Sequence, residues 1–122
     1  MRAGGSGRKA LNRAAFLLYG KRNACSELSL AGRTDRWNFR AACAMAVGRS
    51  PTAAQVGKLE REYLKHLPYY VRRATRSQNY ILPPGIKPLL KRLSREKEIL
   101  LGLGTGNMEK GARIKLEPSG FN

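Results

Sequence analysis

The chain has 122 residues, 24 lysines and arginines against eight acids, and a formal charge of +16. That length allows one small domain with tails, and no run approaches the ~20 apolar residues of a membrane-spanning helix. A compact body with this much unpaired positive charge repels itself, which argues against a self-sufficient particle and for a polyanionic partner: nucleic acid, an anionic membrane or an acidic protein surface.

Residues 1–26 hold six bases and no acid. Residues 1–7 are glycine-rich and predict a flexible basic N-terminal arm. From residue 8 to 22, Leu11, Ala14, Ala15, Leu18 and Tyr19 recur at the spacing of one helical face. Arg8, Arg13 and Lys21 fall mainly outside that stripe, so the helix is amphipathic and basic. The same makeup suits a mitochondrial import segment. The alternative is an arm that stays on the protein and enters a nucleic-acid groove, and an uncleaved signal serving as such an arm satisfies both.

A second helix is expected to start at Thr34 or Asp35, either of which can cap it. Trp37, Ala41, Ala44, Met45 and Gly48 recur along it, with Phe39, Cys43 and Ala46 alongside. The third helix has the clearest start. Ser50 can cap, Pro51 suits the first turn, and Thr52 with Gln55 has capping-box spacing. Val56, Leu59, Tyr63, Leu64 and Leu67 carry its apolar face to Pro68.

Residues 69–86 fit no single period and predict an extended Tyr/Arg/Pro-rich segment, whose first part can alternatively continue helically after Pro68, while Tyr80, Ile81 and Leu82 before Pro83-Pro84-Gly85 are largely extended. A fourth helix is expected over 87–101, with Leu89, Leu90, Leu93, Leu100 and Leu101 along it and Gly102 as its stop. The remainder, 102–122, reads as a Gly-rich extension whose alternating piece, 113–117, predicts a short strand. The expected fold is therefore mainly α: a small three- to four-helix domain over 8–101 with a basic arm and a Gly-rich tail. Leu11, Leu18, Trp37, Met45, Val56, Leu59, Tyr63, Leu90 and Leu93 are its expected core.

Catalytic chemistry finds little support. His66 stands alone at a predicted helix end, with no nucleophile and acid spaced around it. Glu60/Glu62 and Glu96/Glu98 are pairs two apart on helices, pointing to different faces. Cys25 and Cys43 match no metal or redox spacing and favour two reduced thiols over a disulfide. Gly102-Leu103-Gly104-Thr105-Gly106 lacks the Lys-Ser/Thr element and the preceding strand of a phosphate loop. No catalytic residue, metal ligand, cofactor or small-molecule substrate is expected, and the chain reads as a non-enzyme.

The segment with recognition chemistry is 69–80. Tyr69, Tyr70 and Tyr80 interleave with Arg72, Arg73 and Arg76. Arginine forks bond phosphate oxygens in pairs, and tyrosine faces stack on unpaired bases. The alternative is that the tyrosines cover the core while the arginines are solvated. Residues 68–95 carry seven bases and no acid, and Lys87, Lys91 and Arg92 nearby tilt the balance towards RNA. With Arg8, Arg13, Lys21 and Arg22 from the front of the chain, these are the candidate RNA-binding residues. A membrane surface suits the prolines and scattered bases of 68–95 poorly, and no helix-turn-helix, zinc or basic-zipper pattern marks a reader of duplex DNA.

A short, arginine-rich chain with an import-like N-terminus, a helical middle and a Gly-rich extension resembles a mitochondrial ribosomal protein in type. That resemblance implies a structural constituent of the mitochondrial ribosome in the matrix, serving mitochondrial translation. Its partners would be ribosomal RNA and neighbouring ribosomal proteins. Leu18-Tyr19-Gly20, followed by Lys21-Arg22 and later by Phe39-Arg40, also resembles the LYR-motif family of three-helix mitochondrial proteins. This second resemblance implies an adaptor docking an acyl carrier protein, or an accessory subunit of a respiratory complex.

Overall fold

The computed structural model describes residues 1–121 and is mainly helical. In chain order it contains β1 (Arg2–Ala3), α1 (Ser6–Tyr19), α2 (Asp35–Val47), α3 (Ala53–Arg76), β2 (Tyr80–Ile81), α4 (Ile86–Leu93) and α5 (Glu109–Leu116), then a single 3-10 turn, Glu117–Ser119. The central contact is α1 against α3, with α2 and α5 also packed on α3.

Small side chains make the α1 contact close. Ala10, Leu11, Ala14 and Ala15 are buried on α1, facing a core completed by Leu59, Tyr63, Leu67 and Val71 from α3. Ala24 and Cys25 close one side, and Phe39, Ala42 and Cys43 of α2 another. Phe39 meets Tyr63 edge-on, ring centres 5.0 Å apart, a favoured geometry for paired aromatic quadrupoles.

The helix starts follow local chemistry. Thr34 caps α2, its hydroxyl accepting from the Trp37 amide at 3.3 Å. Of the candidate caps before α3, Thr52 is the one used. Its hydroxyl accepts from the Gln55 amide at 3.2 Å, and the Gln55 carboxamide accepts from the Thr52 amide at 2.9 Å. Two of the amides that the first turn leaves unpaired are thus satisfied.

α3 does not stop at Pro68 but continues to Arg76, so residues 69–76 are helical rather than extended. Proline removes one backbone bond and crowds the carbonyl four residues back, at a cost of about 3 kcal/mol. Burial of Leu67 just before it and of Val71 and Ala74 beyond it offsets that cost. Extended backbone is confined to β2, whose two residues pair antiparallel with β1, Arg2 opposite Ile81 and Ala3 opposite Tyr80. Residues 1–7 therefore hold β1 and the first two residues of α1. Gly4, at φ 57°, makes the turn between them, and a Cβ there would lie 2.8 Å from that of Ala74.

Three further expectations are corrected. The fourth helix ends at Leu93, and none of its residues is buried. The stretch expected as a strand, 113–117, lies mainly in α5, because five alternating residues cannot compel a strand when Gly111 and Ala112 can bury against α3. In the expected core, Leu18, Trp37 and Met45 are exposed, the last two at 41% and 40%. Leu90 and Leu93 are half-buried on α4, outside the core cluster. Leu11, Val56, Leu59 and Tyr63 take part in it, Val56 at its edge.

Candidate nucleic-acid interface

Helical geometry sorts the bases of α3. Leu59, Tyr63, Leu67, Val71 and Ala74 define its buried side. Lys58, Arg61, Lys65, Tyr69, Arg72 and Arg76, at spacings of three and four, occupy the outward side, and all are exposed. Arg73 is exposed next to this row. The Lys65 ammonium donates to Glu62 at 2.8 Å, and the same carboxylate meets His66 Nε2 at 3.0 Å. Hydrogen bonds from Lys65 and then His66 hold the Glu62 carboxyl below its usual range. Among the described residues, the only other ion pair is Arg113 with Glu109. Most of the cationic groups thus have no carboxylate partner among the described residues.

The sequence-predicted residues separate into three groups. Tyr69, Arg72, Arg73 and Arg76 come together on the last turns of α3. Arg13 is exposed on α1, with Lys21 and Arg22 just past its end, where the Arg22 guanidinium lies over the Phe16 ring at 4.9 Å. Lys87, Lys91 and Arg92 are exposed on α4. This helix makes no extensive contact with any other element and belongs to an excursion running from β2 to Gly106, whose carbonyl accepts from the Asp35 amide at 2.7 Å.

Three predicted residues are occupied by the fold. The Arg8 guanidinium donates to the carbonyls of Cys25 and Leu28, the latter at 2.8 Å, pinning the loop after α1. Tyr80 donates its hydroxyl to the Lys115 carbonyl at 2.8 Å, and burial pushes its pKa upward, with the Ser119 hydroxyl opposing. Tyr70 is half-buried against the core, its ring edge-on to Tyr69 at 5.1 Å. Tyr69, 54% exposed, is the one of the three tyrosines free to stack.

Lys58, Arg61 and Lys65 were missed. Their signal was the i, i+3, i+4 spacing that links them to Tyr69, Arg72 and Arg76, and it is lost once Pro68 is taken as a helix end. Lys115 was also missed. Its ammonium donates to Asn107 Oδ1 in a cavity of about 640 Å³ that Arg8, Asp35, Asn38 and Tyr63 also line. Burial lowers the Lys115 pKa, opposed by the Asp35 charge. Burial likewise raises that of the Tyr63 hydroxyl.

His66 is engaged with Glu62. Among the described residues no cluster of three or more His, Cys, Asp or Glu side chains could hold a metal ion, and no helix is long and apolar enough to cross a membrane. Cys25 and Cys43 are free thiols, both buried. No family model matches this chain, and neither a curated protein nor a solved structure does.

Proposed function

We propose that this protein is a structural, ribosomal-RNA-binding constituent of a mitochondrial ribosome, without catalytic activity, that also contacts neighbouring ribosomal proteins. The observation that carries the proposal is the exposed row of bases on α3, continued by Arg73 and set in a molecule of charge +16. Among the described residues, Lys65 alone in the row is paired with a carboxylate, that of Glu62, and phosphates supply the matching charge for the others. Arg13, Lys21 and Arg22 add a second basic patch, and Lys87, Lys91 and Arg92 a third. Arg8, Tyr70 and Tyr80 serve the fold that presents them.

Sucrose-gradient fractionation of a mitochondrial lysate, with and without ribonuclease, tests this. The protein is expected to sediment with a ribosomal subunit and to leave that fraction after ribonuclease. Sedimentation with a respiratory complex or an acyl carrier protein, unaffected by ribonuclease, overturns the proposal in favour of the adaptor alternative.

A further inference from the structure

We infer that the outward row of α3 is a rail for the backbone of double-helical RNA, not a platform for unpaired bases. The inference rests on the RNA-binding reading above and adds which form of RNA the surface fits. From Lys58 to Arg76 the row spans about 27 Å at the rise of an α-helix. It carries five cations and one aromatic ring, all exposed. The opposite side of the helix is fixed in the core through Leu59, Tyr63, Leu67 and Val71, so the row is held rigid before any ligand arrives.

Single-stranded RNA is gripped by combining a basic track with several aromatic faces, one for each stacked base. This surface lacks that combination. Tyr70 packs against the core and Tyr80 is bonded to the Lys115 carbonyl. Trp37, exposed on α2, already has the Arg33 guanidinium over its ring at 4.6 Å. Tyr69 is left as the single free face on the row. A double helix hides its bases and offers phosphates and 2′-hydroxyls, which cationic forks and ammonium groups recognise by shape and charge. Glu62, an acid immediately beside the row, is held by Lys65 and His66, which limits its repulsion of an approaching phosphate.

Fluorescence anisotropy on the full chain, with a labelled 20-base-pair RNA duplex and a 20-nucleotide oligouridine across a salt series, tests this. The duplex is expected to bind at least about tenfold tighter, with a log–log salt slope of about −4.5 from the five cations of the row. That slope is roughly a 500-fold loss of affinity between about 50 and 200 mM salt. Lys58→Gln with Arg72→Gln should make the slope shallower by about 2 while circular dichroism stays unchanged. The same charge loss at Lys97 and Lys110, off the row, should move it by less than about half a unit. Equal or tighter binding of oligouridine, with Tyr69→Ala costing tenfold or more, overturns the duplex assignment and leaves RNA binding standing. An unchanged slope in the Lys58/Arg72 variant overturns the assignment to α3. Absence of salt-dependent binding to either RNA removes the inference together with the reading beneath it.

Discussion

Arg8 engages its own chain, at oxygens other than the phosphates expected for it. Its guanidinium does bond oxygens in a fork, but they are the carbonyls of Cys25 and Leu28. Lysine keeps the charge and loses the fork. Arg8→Lys should therefore lower unfolding free energy by about 1–2 kcal/mol in urea denaturation, and leave the salt slope of RNA binding unaltered. Cys25 gives a second prediction at this scale. Burial raises its thiol from 9 to about 11, with the Arg8 charge opposing. In the unfolded chain the thiol ionises near its ordinary value, so between about pH 9 and 11 the folded form holds a proton that the unfolded form has released. Stability should be level below that window as far as this group is concerned, and should fall as pH rises through it. Urea midpoints at pH 8 and pH 10.5 measure the fall, and Cys25→Ala should reduce it. Tyr19, raised to about 12 mainly by burial, adds a separate decline at higher pH. Neither behaviour was legible in the sequence, because each depends on which oxygen or apolar wall lies across the fold.

Helix starts were legible because they are local. The Ser50-Pro51-Thr52-Ala53-Ala54-Gln55 run announces α3, and the structure selects Thr52 from it. Thr52→Ala should cost about 1 kcal/mol, whereas Ser50→Ala should stay within about 0.5 kcal/mol, both read from denaturation midpoints. How far the helix runs past Pro68 was not legible. Only the tertiary burial of Val71 and Ala74 explains why a helix survives there. Pro68→Ala should restore the missing backbone bond and stabilise the protein by up to about 3 kcal/mol. An unchanged urea midpoint would mean that the surrounding packing has already absorbed the defect. On α2 the apolar residues form two stripes. The stripe with Trp37 and Met45 faces outward, while Asn38, Phe39, Ala42 and Cys43 are buried, since alanine and cysteine admit a closer neighbour than tryptophan and methionine. Which stripe turns inward is decided by the partner helix, beyond the reach of periodicity. The basic row on α3 shares this limit: its last turns were identified as a site, and its first turns were separated from them by a proline that does not end the helix.

For the molecule as a whole, the acid-free blocks at 1–26 and 68–95 were evident from composition, and their placement was not. One block supplies both β1 and the core helix α1. The other is divided between α3, β2 and the α4 excursion, where Leu89, Ile99, Leu100, Leu101 and Leu103 are exposed, Leu100 at 97%. A charge of +16 stores repulsion that counterions relieve. The melting temperature should therefore climb by on the order of a few degrees between about 20 and 300 mM sodium chloride, and duplex RNA at low salt should raise it too. A melting temperature indifferent to salt would indicate that the cations lie too far apart to repel.

The buried face of α1 bears on how such a chain would reach the matrix. Leu11, Ala14 and Ala15, three residues of the stripe on which the import reading rests, are also interior packing. On the mitochondrial reading proposed above, address label and keystone would be one and the same stretch. Such a label could be read only while the polypeptide is still unfolded, and a processing peptidase that trimmed it away would demolish the building it delivered.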